Sequence, residues 1–298
     1  MQPIAIMAGM TAMAISFWVA QPESAQPVEP QKLTLQQVID QLDTQDRIEI
    51  GRLGVALEDV SFEQAGRMVE AVVCKPLAPD AGHRSPAVLL IPGYSRSARD
   101  NIPLMIALAR HGYIGMSIAQ PGFGRSDGPA DFAGPSSVAA ADAAFELLRN
   151  DPRTDPDHIA LFGYSRGAMV ASILATMRDD LACVVLCAGV YDLKAGYEQA
   201  TSPVLREHIE KETGGASDGA LRERSSLHRA GDIKCDVLVI HGDKDINAPV
   251  TQAHALVDRL AQAGVAHEVK ILKDRDHALT RAEIETVVLP FFEAHLRD

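Results

Sequence analysis

Short apolar runs alternate along the chain with longer stretches in which apolar residues recur every three or four positions. The short runs, rich in Val, Ile and Leu, predict buried strands: Ala87–Ile91, Tyr113–Ile118, Ile159–Phe162, Ala182–Cys187, Val237–His241 and Glu268–Leu272. The longer stretches predict helices: Ile102–Arg110, Val138–Leu148, Arg166–Met177, Ala253–Ala263 and Ala282–His295. This alternation is typical of an α/β protein with a mainly parallel, doubly wound sheet that helices cover on both faces.

Two segments depart from the alternation. Val55–Phe62 and Arg67–Cys74 flank a turn at Gly66, which predicts an antiparallel hairpin at the start of the sheet. Residues 188–233 separate two strands by more than one crossover helix requires, and Pro203–Glu212 within them has helical spacing. This insertion is either a small lid over a site at the carboxyl ends of the strands or a decoration of the surface.

The N-terminal segment, residues 1–31, is of a different kind. Ile4–Ala20 is apolar and uncharged, and a polar stretch with proline follows it. A signal peptide has this organisation, but no Lys or Arg precedes the apolar run, and the candidate cleavage sites carry Trp18 and Glu23 where small residues are favoured. An export signal, an uncleaved membrane anchor and a docked or disordered tail therefore all stay open.

We expect two parts in the chain. The N-terminal segment covers 1–31, and one α/β domain covers 32–298, with the insertion at about 188–233. An exported location, periplasmic or secreted, is favoured over a cytoplasmic one. Membrane contact is expected only through the N-terminal segment, if that segment is not cleaved.

Composition and charge exclude several classes of partner. The formal net charge is −12 and no run of Lys or Arg occurs, so we expect no nucleic-acid partner, because phosphate binding needs clustered cations. Four scattered cysteines predict buried, reduced thiols rather than a disulfide scaffold. The chain has no His-Glu-x-x-His, Cys-x-x-Cys or phosphate-loop motif, so we expect neither a metal nor a cofactor.

A predicted strand and a predicted helix flank the sequence Gly163-Tyr164-Ser165-Arg166-Gly167. In a G-x-S-x-G motif the glycines let the chain turn sharply, and the serine is lifted to the start of the helix. The N–H groups there favour the negative charge that develops during acyl transfer. Ser165 is therefore the candidate nucleophile, and the N–H of Arg166 is a candidate donor to the oxyanion.

A serine nucleophile needs a base and a carboxylate that orients the base. After a G-x-S-x-G serine, the acid and then the histidine follow along the chain. The loop after the fifth apolar run holds two candidate acids, Asp243 and Asp245, and His277 follows the last predicted strand as the candidate base. Asp276 and Asp192 are weaker alternatives for the acid.

These motifs resemble those of the α/β-hydrolase superfamily, and within it the prolyl oligopeptidase catalytic domain and the dienelactone-hydrolase-like enzymes. The resemblance runs from about Val55 to the C-terminus. The segment His241-Gly242-x-x-Asp245-x-x-Ala248-Pro249 is similar to that group's acid loop, in which the aspartate comes three positions after the glycine. The resemblance therefore implies Asp245 rather than Asp243, although the family usually has Val where Ala248 stands.

The resemblance also implies a second oxyanion donor, in the loop after Ala87–Ile91. That loop contains Pro92-Gly93-Tyr94 where many relatives have His-Gly-x, which implies the N–H of Tyr94. An ordinary Pro-Gly turn is the alternative interpretation of this segment.

The resemblance implies a cofactor-independent serine hydrolase that cleaves a small-molecule ester or a short peptide through an acyl-enzyme. A carboxylic-ester hydrolase with short acyl chains is favoured, because esters have better leaving groups than amides and no long apolar lid is evident. Residues 1–50 are also too few for the β-propeller of peptide-cleaving relatives. The first alternative is a serine peptidase that captures a peptide amine with Glu207, Glu210 or Glu212, and the second is a non-catalytic binding protein of the same fold.

Overall fold

The computed structural model describes residues 53–77, 84–200 and 202–296. The N-terminal segment lies outside the described residues, so its separation from the α/β domain and its role in export stay predictions. Within the described ranges, none of the helices combines the length and the apolar character that a membrane span requires.

Eight strands form one sheet in the order β1-β2-β4-β3-β5-β6-β7-β8. The strands are β1 Val55–Gln64, β2 Arg67–Pro76, β3 Ser85–Ile91, β4 Ile114–Ile118, β5 Thr154–Tyr164, β6 Cys183–Cys187, β7 Asp236–Gly242 and β8 His267–Leu272. The β1–β2 hairpin and the β2–β4 pair are antiparallel, and every other pair is parallel. The predicted α/β class, the mainly parallel sheet and the opening hairpin are confirmed.

Helices cover both faces of the sheet. They are α1 Ile102–Arg110, α2 Pro135–Arg149, α3 Arg166–Ala175, α4 Leu193–Gln199, α5 Pro203–Thr213, α6 Asp218–Glu223, α7 Thr251–Ala263, α8 Arg281–Glu283 and α9 Leu289–His295. Buried side chains of α2, α3 and α7 form one apolar cluster with one face of the strands. Those of α1 and α9 form a second cluster with the other face. Side chains alternate between the faces, so Leu89 belongs to the first cluster and Val88 to the second.

The order of the strands places a crevice at the carboxyl end of the sheet. β3 lies between β4 and β5 in the sheet. The connection after β3 therefore leads to β4 on one side, whereas the connection after β5 leads to β6 on the other side. The loops that follow β3 and β5 therefore separate above the sheet, and ligands of open α/β sheets bind at such a reversal. The loop after β3 carries Tyr94, and β5 runs directly into Ser165.

Two local features differ from the sequence prediction. The predicted helix Ala282–His295 widens into a π-helix at Ile284–Val288 before α9 begins. Pro290 lies at the start of α9, where its ring and missing N–H disturb regular α-helical hydrogen bonding with the preceding turn. In the 188–233 insertion, α4 and α6 were not predicted, because each spans fewer than two full turns and shows no clear periodicity.

The cysteines agree with the prediction. Cys74, Cys183, Cys187 and Cys235 are buried free thiols. Burial raises the pKa of Cys74 and of Cys235 to about 12, so both thiols are protonated at neutral pH. The four residues therefore contribute to the core as small apolar side chains.

Candidate active site

The strand–helix junction holds Ser165 in a conformation that L-residues rarely adopt. Its φ is 54° and its ψ is −120°, between the last residue of β5 and the first of α3. Its N–H donates a hydrogen bond to the Cys187 carbonyl oxygen at 2.8 Å, so the end of the neighbouring strand β6 holds the strained residue in place. Such strain persists only where surrounding contacts over-determine it, and it raises the Oγ atom above the sheet.

Glycines on either side of Ser165 allow the backbones to approach. A Cβ atom at Gly163 would lie 2.5 Å from the Gly167 carbonyl oxygen, and one at Gly167 would lie 1.9 Å from the Ile91 carbonyl oxygen. Both oxygens belong to backbone that the sheet and α3 fix, so neither can move aside. The motif therefore requires glycine at both positions for a steric reason.

The structure brings Ser165, His277 and Asp245 into one hydrogen-bonded chain. His277 Nε2 lies 2.8 Å from Ser165 Oγ, and His277 Nδ1 lies 2.7 Å from Asp245 Oδ2. Asp245 follows β7 and His277 follows β8, so the three side chains come from the carboxyl ends of three strands. In this geometry Nδ1–H donates to the carboxylate and Nε2 accepts from the serine hydroxyl.

Hydrogen bonds hold Asp245 in its ionised form. Burial alone would raise the pKa of this carboxyl, but hydrogen bonds from His241, His277 and the Ala248 N–H hold it well below its usual range. Oδ1 accepts the N–H groups of Asn247 and Ala248, each at 2.9 Å. The side chain is a carboxylate at neutral pH, fixed at both oxygens.

The other candidate acids make only local contacts. Asp243 accepts the Arg275 N–H at 3.3 Å, and Asp276 accepts the Ala278 N–H at 3.1 Å. Asp192 caps α4 by accepting the Ala195 N–H at 3.1 Å. Among the four aspartates considered in the sequence, Asp245 is the one hydrogen-bonded to the imidazole of His277.

Two further residues position the chain, and sequence reasoning gave neither a role. The fully buried His241 donates Nε2–H to the Ala248 carbonyl oxygen at 2.7 Å and lies 3.3 Å from Asp245 Oδ2. Tyr164 donates its hydroxyl to the His277 carbonyl oxygen at 2.7 Å. The only sequence signal was that Tyr164 lies in the G-x-S-x-G motif and His241 in the acid loop. At both positions the sequence is equally compatible with a side chain that only packs in the core.

The loop after β3 adjoins Ser165, as the prediction of Tyr94 as an oxyanion donor requires. A Cβ atom at Gly93 would lie 3.2 Å from Ser165 Cβ, so this position leaves little room for a side chain. The Gly93 carbonyl oxygen accepts the Arg96 N–H at 3.4 Å across a turn in which Ser95 has a φ of 56°. Tyr94 and the first residue of α3, Arg166, line the same cavity as Ser165, and the oxyanion role of their N–H groups stays a prediction.

The Arg166 side chain is buried and joins the junction to the insertion. Nη1 donates to Glu212 Oε2 of α5 at 2.6 Å, and the guanidinium lies 4.4 Å from the ring centroid of Tyr94 and 4.1 Å from that of Phe132. Burial lowers the pKa of Arg166, whereas Glu212 opposes that shift. The insertion is therefore attached beside Ser165 by a buried ion pair with three aromatic neighbours, the third being Phe123 at 5.4 Å from the guanidinium.

A cavity of about 520 Å³ opens beside Ser165 and His277, and the insertion forms much of its wall. The residues that line it are Tyr94, Phe132, Ser165, Arg166, Met169, Ala188, Val190, Leu193, Gly196, Gln199, Ala200, Ser202, Leu205, His208, Ile209, Ile246, Asn247, Ala248, Pro249 and His277. The insertion is thus a lid, which decides between the two interpretations that the sequence left open. We call residues 188–233 the lid from here on.

The predicted amine-binding glutamates do not line this cavity. Glu212 pairs with Arg166, Glu210 accepts the Tyr197 hydroxyl, and Glu207 is exposed on α5. The sequence showed no long apolar lid, yet Leu193, Leu205 and Ile209 of the lid line the cavity. The directions of these side chains depend on the packing of α4 and α5, which the sequence pattern does not contain.

Comparison with known proteins identifies the family to which the chain is similar. A model of the prolyl oligopeptidase family matches residues 138–297, which include Ser165, Asp245 and His277. The chain is 27% identical over 212 residues to the "Uncharacterized peptidase YtmA" of Bacillus subtilis (strain 168), a match that covers 70% of this chain and 80% of that protein.

Solved structures share the fold at low sequence identity. Pyrococcus horikoshii acylaminoacyl peptidase matches with a TM-score of 0.73 and 19% identity, over 86% of this chain and 44% of that one, so this chain spans less than half of that peptidase. Acetyl xylan esterase from Paenibacillus sp. R4 matches with a TM-score of 0.69 and 18% identity, over 82% of this chain and 85% of that one. The chain therefore belongs to the prolyl oligopeptidase family, as a serine hydrolase of the peptidase or esterase type.

Proposed function

We propose that the protein hydrolyses carboxylic esters through an acyl-enzyme formed on Ser165. The observation that carries this proposal is the hydrogen-bonded chain from Ser165 Oγ through His277 to Asp245. A serine hydroxyl is a weak nucleophile by itself, and this arrangement supplies the base and the carboxylate that orients it.

In the first half of the reaction, Ser165 Oγ attacks the carbonyl carbon while His277 Nε2 takes the hydroxyl proton. Asp245 stabilises the imidazolium that forms and fixes its orientation. The N–H groups of Tyr94 and Arg166 donate to the oxyanion. His277 then gives its proton to the departing alcohol oxygen, and the acyl group remains on Ser165.

In the second half, a water molecule attacks the acyl-enzyme while His277 Nε2 takes a proton from it. Collapse of the second oxyanion breaks the bond between the acyl carbon and Ser165 Oγ, which recovers its proton from His277. The products are a carboxylic acid and the alcohol, and the reaction consumes one water molecule.

Esters are proposed before peptides for two reasons. An alcohol is a better leaving group than an amine, so less binding energy is needed to reach the transition state. The lid glutamates that would anchor a peptide amine are paired elsewhere or exposed away from the cavity. A serine peptidase is the second candidate, and the match to the Bacillus subtilis peptidase favours it.

Two measurements test the proposal. A fluorophosphonate probe should label the unmodified protein and fail to label Ser165→Ala, and a folded protein that never labels would be a binding protein instead. The kcat/KM values for p-nitrophenyl esters should then exceed those for aminoacyl-p-nitroanilides. Comparable or faster cleavage of an anilide than of every ester tested would replace the esterase by the peptidase.

A further inference from the structure

The cavity has an inner end and a mouth that differ in burial. Arg166, Met169 and Ile209 are 6%, 3% and 2% exposed, whereas Tyr94 and Ile246 are 40% and 90% exposed. The most buried lining residues therefore mark the inner end, which includes Ile209 of α5, and the exposed ones mark the mouth. The Arg166 guanidinium reaches towards the mouth, where it lies 4.4 Å from the ring centroid of Tyr94. Ser165 and His277 line the same cavity, so a chain attached to the reacting carbonyl has direct access to the inner end.

The departing alcohol does not need the inner end of the cavity. His277 hands its proton to the leaving oxygen and keeps 21% of its side chain exposed, so solvent is accessible to the alcohol beside His277. The inner end is then left for the acyl chain, which stays attached to Ser165 until water releases it.

No carboxylate lines the cavity, among the residues that the structure describes there. Its ionisable side chains are Arg166, His208, His277 and the phenol of Tyr94, and most of the remaining lining is apolar. Glu212 lies behind Arg166, where it accepts from Nη1 and from the Phe132 N–H. The charge of the guanidinium is thus already compensated from the side that faces away from the cavity.

A charged acyl group would gain no partner at the inner end. An ammonium group would lose its hydration beside the Arg166 cation, without a carboxylate to receive it. A carboxylate would have to compete with Glu212 for the guanidinium, or stay unpaired among Met169, Leu193 and Ile209. An uncharged apolar chain loses nothing by entering and removes apolar surface from water.

We propose that the cavity is an acyl-binding site for an uncharged, apolar chain considerably longer than an acetyl group, and that it rejects acyl groups that carry a free amine. The inference rests on the proposed ester hydrolysis and adds the substrate class to it. A volume of about 520 Å³ falls within the range of pockets that enclose a drug-sized ligand, far more than an acetyl group fills.

The first test is a series of p-nitrophenyl esters from acetate to decanoate, in which the leaving group stays constant. The kcat/KM value is expected to rise about fourfold for each methylene that the cavity buries, and then to level off. A decline from acetate onward would overturn the inference and would favour the short acyl chains that the sequence suggested.

The second test compares two esters of the same shape on the unmodified enzyme. p-Nitrophenyl heptanoate ends in a methyl group where p-nitrophenyl 6-aminohexanoate ends in an ammonium group. We expect kcat/KM to be about 100-fold lower for the amine, because burial of an unpaired cation is costly. Equal rates for the two esters would overturn the inference while leaving ester hydrolysis intact.

Variants of α5 locate the site. Leu205 lines the cavity, whereas its neighbour Val204 is 58% exposed and does not, so Leu205→Trp and Val204→Trp are a matched pair. Leu205→Trp should lower the octanoate-to-acetate ratio of kcat/KM about tenfold, and Val204→Trp should leave that ratio unchanged. A similar effect of both variants would place the acyl chain elsewhere and would overturn the inference.

The two proposals fail in different ways. If no ester is hydrolysed although the protein is folded, ester hydrolysis is wrong, and the acyl-binding site is wrong with it. If esters are hydrolysed without regard to chain length or charge, only the acyl-binding site is wrong. The substrate series needs no variant, so the test stands even if Leu205→Trp does not fold.

Discussion

Ser165 belongs to the strand–helix junction and lines a cavity together with the lid. These two regions are built differently. At the junction, backbone packs on backbone, and Gly163 and Gly167 leave no space for a Cβ atom. In the lid, short helices begin with side-chain caps from Asp192, Ser202 and Ser217, each to an N–H three residues away. The junction therefore depends on close backbone packing between distant parts of the chain. The lid begins its helices with local caps and is attached to the rest of the protein by side chains such as Arg224 and Gln252.

We expect the junction to determine the chemistry of acyl transfer and the lid to determine which substrates fit. A change at the junction displaces Ser165 relative to the sheet, so the machinery of acyl transfer tolerates little variation. A change in the lid alters the wall of the cavity while the Ser165–His277–Asp245 chain keeps its support from β5, β7 and β8. The same fold can thus serve peptidases and esterases, because function depends on the site rather than on the fold.

The largest effect is expected at the junction. Ser165→Ala and His277→Ala should each lower kcat by about 10⁴-fold or more, and the double variant should be little worse than either, because the residues act as one unit. Steady-state kinetics of the three variants, with circular dichroism as a control for folding, measures this. If the loss of kcat in the double variant equals the product of the two single losses, the two residues do not work together.

The second largest effect is expected for the carboxylate that orients His277. Asp245→Asn should lower kcat by about 10³- to 10⁴-fold, because the amide cannot stabilise the imidazolium and favours the wrong tautomer. Asp243→Asn and Asp276→Asn are matched controls that lose only a local hydrogen bond. A larger loss of kcat at Asp243 than at Asp245 would contradict the assignment.

Two glycines test the contrast between backbone packing and local structure. Gly167→Ala should lower the free energy of unfolding by about 3 kcal/mol, because its Cβ atom would overlap the Ile91 carbonyl oxygen. Gly219 in α6 has no atom within 4 Å of an added Cβ atom, so Gly219→Ala should be neutral or slightly stabilising. Urea denaturation of both variants measures the two changes in the free energy of unfolding. Equal changes would contradict the contrast between the junction and the lid.

The attachment of the lid should have a smaller effect. Glu212→Gln keeps the shape of the side chain but removes the charge opposite Arg166, at a cost of about 2 kcal/mol. Hydrogen exchange should become faster in α5 than in α3, because the contact that joins α5 to the junction is weakened. Unchanged protection of α5 would mean that apolar packing alone holds the lid.

The smallest expected effect is the contribution of Asp245 to the pH dependence of stability. Its pKa is lowered in the folded protein, so its ionised form contributes stability that is present above the unfolded pKa, near 4, and is lost as the pH falls through the folded pKa. Unfolding experiments at pH 7 and pH 3 should show that Asp245→Asn loses less stability on acidification than the unmodified protein. An equal loss would contradict the lowered pKa.

Much of the fold was contained in the sequence pattern. The bounds of α1 were predicted as observed, and each predicted strand of the parallel part appears within a few residues. Apolar periodicity records which face of an element is buried, so long elements leave a strong signal. The lid helices α4 and α6 were missed because such short helices carry too few apolar positions to show a period.

By itself, the sequence determined the α/β class, the strand–helix junction and the chain order of Ser165, the candidate acids and His277. Asp243 and Asp245 are only two positions apart in one loop, and the resemblance of that loop to a family motif implied Asp245. The tertiary structure then shows that the carboxylate of Asp245 meets the imidazole. The structure also decided the role of His241, which depends on how the loop to Asp245 and Ala248 folds. It decided the role of Glu212 as well, whose partners Arg166 and Phe132 lie far away along the chain. Local propensity is encoded in neighbouring residues, whereas the direction of a side chain across a loop or a lid depends on packing that no short segment contains.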